Sequence, residues 1–161
     1  MSISATYRNY SSNWCTPPEW LEWIGAYLGD DWFDPCPAEW NPSMPSALDI
    51  EWRRDTYCNH PGSRGSTKVW WTKAHAEIVA GRVRRLIWCC FSVEQLRHMR
   101  PWPLSIGQAF VIMPRERVAF YRAGERANSP GNWTCFVVID PDAELITGIK
   151  AKPPMEYELI W

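Results

Sequence analysis

The chain has 161 residues, a mean hydropathy of −0.36 and a formal net charge of −1, enough for one domain with a single buried core. No apolar run approaches the roughly 18–20 residues of a membrane span, and Met1-Ser2-Ile3-Ser4 lacks the charge and apolar stretch of a secretion signal. A cytoplasmic protein with no membrane partner is expected, with its six cysteines as thiols rather than a disulfide framework.

Residues 1–13 are polar and rich in Ser, Asn and Tyr, and read as a flexible N-terminal arm ahead of a single domain over 14–161. Thr16-Pro17-Pro18-Glu19 predicts a helix start, with Thr16 as N-cap, Pro17 at the first helical position and Glu19 completing a capping box. Trp20, Trp23, Ile24, Tyr27 and Leu28 follow at helical spacing, and Gly29 is the stop. Trp32-Phe33-Asp34 reads as a short strand halted by Pro35, and residues 37–47 as a Pro/Ser loop.

Thr56-Tyr57-Cys58 is the next strand, and Ser66 or Thr67 caps a second helix that runs to about Ala80 and stops at Gly81. Val83 to Cys90 reads as a buried strand, and Ser92-Val93-Glu94-Gln95 opens a short helix that Pro101 ends. Three more strands are expected at about 109–113, 118–121 and 134–139. Helices alternating with short apolar strands, then a run of strands, predict an α/β protein with a mostly parallel sheet and an antiparallel edge.

The segment Asn59-His60-Pro61-Gly62 carries the most chemical information. An Asn at a strand end before a rigid Pro turn can hold an exocyclic amino group: its side-chain oxygen and the next backbone carbonyl accept the two amine hydrogens. Methyl transfer to such a nitrogen needs no strong base, only positioning and two acceptors. His60 supplies the carbonyl whatever its side chain does, and its ring reads as a steric gate over the pocket or as turn filler. An aromatic ring after the Pro would stack on the base, but Gly62 has none, a loss of about 1–3 kcal/mol in binding. Trp14, Trp40, Trp70 or Trp71 is the available replacement. An ordinary turn is the competing explanation for Asn59.

These residues resemble, in order over roughly 14–140, the small phage-type DNA N6-adenine methyltransferases, a compact branch of the S-adenosylmethionine-dependent enzymes. Trp14-Cys15-Thr16-Pro17-Pro18 resembles the opening Trp-x-Thr-Pro-Pro segment of that family, and Phe33-Asp34-Pro35-Cys36 its Asp-Pro-Cys-Ala turn. Leu48-Asp49 with Trp52 resembles the acidic-then-Trp stretch. Asn59-His60-Pro61-Gly62 stands at the place of Asn-Pro-Pro-Tyr/Phe, and Arg115 to Tyr121 resembles a late Gly-Arg-x-x-Phe strand.

The resemblance implies a Rossmann-like methyltransferase fold with helices on both faces, and DNA adenine-N6 methylation with S-adenosylmethionine as cofactor. It implies Asn59, His60, Pro61 and Gly62 as the catalytic segment and Thr16, Pro17, Asp34, Pro35, Cys36 and Asp49 at the cofactor. Glu51 is a further candidate for the cofactor's ribose or adenine, although a solvated loop carboxylate explains Asp49 or Glu51 equally well. Arg64, Lys68, Arg115 and Arg117 are the candidates for phosphate contact. The departures at His60 and Gly62 leave two other readings open: an inactive methyltransferase-like protein that binds nucleic acid or a host defence protein, and modification of a different nucleobase.

Charge patterning bears on the partner. Residues 1–52 carry a net of −7, residues 53–126 a net of +9 and residues 127–161 a net of −3, so the central block can meet DNA unless the blocks interleave and cancel in space. Twelve Trp suit either ring-stacking faces or core filling. There is no P-loop, HExxH, nucleophile elbow or Cys-x-x-Cys pair, and no metal site is expected. So short a chain leaves little for a separate target-recognition domain, so a homodimer or a host protein could supply that function.

Overall fold

The computed structural model describes residues 14–61, 65–122, 124–126, 131–144, 149 and 151–161. The expected flexible arm over 1–13 lies outside them. Two α-helices, α1 (Pro18–Leu28) and α2 (Ser66–Val79), flank a sheet of five strands. These are β1 (Asp55–Cys58), β2 (Arg85–Cys90), β3 (Ala109–Pro114), β6 (Cys135–Ile139) and β7 (Tyr157–Ile160), in the order β1-β2-β6-β3-β7. A small hairpin, β4 (Tyr121–Arg122) with β5 (Glu125–Arg126), stands apart. Two 3-10 helices, Val93–His98 and Pro103–Ser105, connect β2 to β3.

The expected Rossmann-like α/β fold is overturned: the sheet is mostly antiparallel rather than mostly parallel, and the helices on its two faces are reduced to one α-helix on each. Only β1 and β2 pair in parallel, while the β2–β6, β6–β3 and β3–β7 pairings are all antiparallel. The physical reason lies in the connections. A parallel pair needs a long crossover, which α2 provides between β1 and β2. Beyond β2 the described chain offers only 3-10 turns and the β4–β5 hairpin, and β6 inserts antiparallel between β2 and β3. Phe33 forms an isolated parallel bridge to Thr56, so the expected strand at 32–34 is a single pairing that widens the parallel corner. The expected strand at 118–121 is likewise shorter and displaced, to Tyr121–Arg122.

The core follows the period of two along each strand. Tyr57, Ile87, Cys89, Phe110, Ile112, Phe136 and Val138 face α1, whose Trp20, Trp23, Ile24, Tyr27 and Leu28 are all buried against them. Trp20 stacks on Phe136 at 4.4 Å between ring centres. The opposite face sets Cys58, Leu86, Trp88, Cys90, Val111 and Val137 against Trp70, Trp71 and Ala74 of α2. Six Trp (20, 23, 52, 70, 71 and 88) are therefore core residues, and packing accounts for half of the twelve.

Helix ends differ from the capping pattern of the sequence. Pro17, not Thr16, is the N-cap of α1, and no side chain caps it; the Pro17 carbonyl accepts from the Trp20 and Leu21 amides. Gly29 closes the helix at φ 93° and ψ 176°, a conformation open to glycine and costly for other residues. The Arg85 guanidinium donates to the Tyr27 and Leu28 carbonyls and to the Asp55 carboxylate, which ties the end of α1 to the entry of β1 and β2. Gly65, left-handed at φ 81°, precedes α2, so neither Ser66 nor Thr67 is its cap. Glu77 of α2 is buried and accepts from Lys73, Arg82 and the Trp52 amide, pinning the 47–52 segment to the helix. Those donors, Arg82 foremost, hold its carboxyl down at about 2.

Candidate functional site at the carboxyl end of the parallel strands

Asp34 follows the Phe33 bridge and Asn59 follows β1, so both lie where the parallel-paired segments end. Thr16 reaches the same place from the segment before α1. Its Oγ1 lies 2.7 Å from the Tyr57 hydroxyl and accepts from Asn59 Nδ2 at 3.4 Å. This contact orients the Asn59 amide: its NH2 half is turned to Thr16, so Oδ1 is the acceptor presented on the other side. Tyr57 and Asn59 are two apart on an extended chain and share a side of it, which explains why one hydroxyl meets both.

Asp34 Oδ1 accepts from the Cys36 amide at 2.7 Å, closing the turn at Pro35. Its charge also lies close enough to Tyr57 and Cys58 to act on both. Burial first, then neighbours that include Asp34, pushes the Tyr57 hydroxyl and the Cys58 thiol well up, so both stay protonated. Cys36 is half-buried and lies against Cys58 as a thiol.

His60 does not swing over this group. It falls on the opposite side of the chain from Asn59, is buried, and packs on Trp88 with ring centres 4.8 Å apart. Nδ1 lies 2.8 Å from the Pro61 carbonyl, which can only accept, so Nδ1 carries the proton, and Nε2 faces the Thr67 hydroxyl at 3.5 Å. Burial, opposed by the Pro61 hydrogen bond, lowers its pKa to about 4. The Pro61 carbonyl also accepts from the Ser66 hydroxyl. His60 and Pro61 thus fasten the Asn59 turn to the start of α2. Gly62 and Arg64 lie outside the described residues.

The other expected residues are placed as follows. Pro17 belongs to the start of α1 and gives its carbonyl to that helix. Asp49 is exposed on a turn closed by its amide to the Ser46 carbonyl; Glu51 pairs with Arg82 at 3.7 Å. Lys68 is exposed in the first turn of α2. Arg115 pairs with Glu158 at 2.9 Å, and the Arg117 guanidinium lies 5.8 Å from the centre of the Trp133 ring.

The charge blocks interleave in part. Five arginines of the central block meet acids of the flanking blocks, in the pairs Arg53–Asp31, Arg82–Glu51, Arg84–Asp142, Arg115–Glu158 and Arg126–Glu19. Much of the positive field inferred from the sequence is neutralised this way.

Sequence reasoning missed Tyr57, Phe91 and Arg122. Tyr57 was legible as the residue two before Asn59. Phe91 at the end of β2 and Arg122 in β4 come beside Trp14 only through the tertiary fold. Among the described residues, no group of three or more His, Cys, Asp or Glu is arranged to hold a metal ion, and no helix is long and apolar enough to cross a membrane. No protein-family model, curated protein or solved structure matches the chain.

Proposed function

We propose that the protein is a cytoplasmic S-adenosylmethionine-dependent methyltransferase that modifies adenine N6 in DNA. The observation that carries this reading is the convergence of Thr16, Asp34 and Asn59 at one end of the parallel strands, with the Asn59 amide held by Thr16. The mostly antiparallel sheet lends it no support, so the reading rests on the site alone.

The residues fit the cofactor chemically. Asp34, whose Oδ1 accepts from the Cys36 amide, places a carboxylate that suits a cofactor amine, hydroxyl or sulfonium. When bound, S-adenosylmethionine supplies an electrophilic methyl group. The protein's task is to orient the target nitrogen. Asn59 Oδ1 and the His60 carbonyl accept the two amine hydrogens, which frees the nitrogen lone pair from the purine ring and aims it. Neutral His60 is not needed as a base, because the proton lost after transfer is acidic enough to leave to water.

Incubation with methyl-labelled cofactor and unmethylated DNA tests the reading: label in N6-methyladenine is expected, and Asn59→Ala should abolish it. Cofactor binding without transfer to any nucleobase, followed by nucleoside mass spectrometry, would instead favour the inactive, nucleic-acid- or host-protein-binding alternative. The burial of His60 against Trp88 and the glycine at 62 are the features that favour that second reading. A label on another base would identify the third.

A further inference from the structure

Because Gly62 has no ring, an aromatic face for a base held at Asn59 has to come from elsewhere in the fold. Trp70 and Trp71 are excluded: they are 0% and 1% exposed, deep beneath α2. His60 is committed to Trp88. Trp40 gives its indole N–H to the Pro45 carbonyl within the 37–47 loop.

Trp14 meets the requirement. It is 37% exposed, and two amide hydrogen bonds between Cys15 and Tyr121, of 2.7 and 3.0 Å, hold its segment extended. In an extended chain residues two apart point the same way and stand about 7 Å apart. Trp14 therefore shares a side with Thr16, whose hydroxyl touches Asn59. Phe91 supports the indole at 6.4 Å with a tilt of 51°, and the Arg122 guanidinium lies over the ring, 5.6 Å from its centre, and covers that face. An arginine there also serves the phosphate beside a stacked base.

We propose that Trp14, backed by Phe91 and Arg122, is the stacking face for an unpaired adenine presented to Asn59, a function that in this chain has moved from the Asn59 turn to the segment before α1. The proposal rests on the reading of Asn59 as the holder of the amine.

The test compares binding of two short single strands, one of deoxyadenosine and one of the same length with abasic sites, to the wild type and to Trp14→Phe, Trp14→Leu and Trp133→Ala. The wild type should prefer the adenine strand. Trp14→Leu, which keeps apolar contact with Phe91, should lose about 10- to 100-fold on that strand and little on the abasic one. Trp14→Phe should keep most of the preference, and Trp133→Ala should stay within about threefold of wild type on both strands. Equal binding of the two strands by the wild type, or undiminished adenine preference in Trp14→Leu, would overturn the stacking face. Methyl transfer is measured separately with labelled cofactor. Trp14-dependent adenine binding without transfer removes the enzyme reading and keeps the stacking face; full transfer by Trp14→Leu does the reverse.

Discussion

Burial of His60 makes the protein acid-sensitive between about pH 6.5 and 4.5. The imidazole titrates at about 4 in the folded state against an ordinary value of 6.5. Between these values the unfolded chain binds a proton that the folded chain does not, so stability falls as pH is lowered. The contribution is intact above pH 6.5, and by pH 4.5 the two-unit gap amounts to about 2.7 kcal/mol. Glu77, whose carboxyl is lowered from 4.5 to about 2, keeps its contribution throughout this range and loses it only as pH falls from 4.5 toward 2.

His60→Phe preserves the ring against Trp88 and removes the titration. Urea unfolding of both proteins between pH 7 and 4.5 should show the wild type losing about 2–3 kcal/mol more than the variant. His75 and His98 are common to both proteins and cancel in the difference. Parallel loss of stability in the two would refute the reasoning, as would an NMR titration of the His60 ring protons with a midpoint above 6.

Glu77→Gln should destabilise by about 2–3 kcal/mol at pH 7, less than a dry ion pair because Lys73 and Arg82 are partly exposed and regain water; equilibrium unfolding measures it. The cost should be present above pH 4.5 and fade as pH falls toward 2, where wild-type Glu77 is itself protonated. Gly29→Ala meets no atom within 4 Å, so its cost of about 1–3 kcal/mol comes from backbone strain alone, read as a lowered Tm. Thr16→Val leaves the buried Tyr57 hydroxyl without its 2.7 Å partner and releases the Asn59 amide. A loss of about 1–3 kcal/mol is expected, and if the proposed activity holds, methyl transfer should fall through kcat more than through KM.

Local signals in the chain were enough for the two helices and most strands. The apolar positions from Trp20 to Leu28 share one helix face and are buried in the fold, and Gly29 and Gly81 stand at positive φ just past the helices they end. Strand direction was beyond reach of such signals. A fully buried run such as Cys135–Ile139 reads alike in either orientation, because both of its faces are covered. Only the pairing of β6 between β2 and β3 decides it.

The same division holds at the site. Composition and spacing singled out Asn59 and the Asp34 turn, since Asn before a Pro turn and Asp before Pro35 express local backbone chemistry. The use of Thr16 was not local. As a residue before Pro-Pro-Glu it has the signature of a helix cap, yet its hydroxyl is drawn to Tyr57 and Asn59, 41 and 43 positions away. His60 was read as a gate or as turn filler, and the alternation past β1 turns it instead onto Trp88 on the α2 side of the sheet. The sequence by itself determined where Asn59 and Asp34 sit relative to their Pro turns. The tertiary structure decided which residues meet Asn59 and which come beside Trp14, because both depend on contacts between segments far apart along the chain.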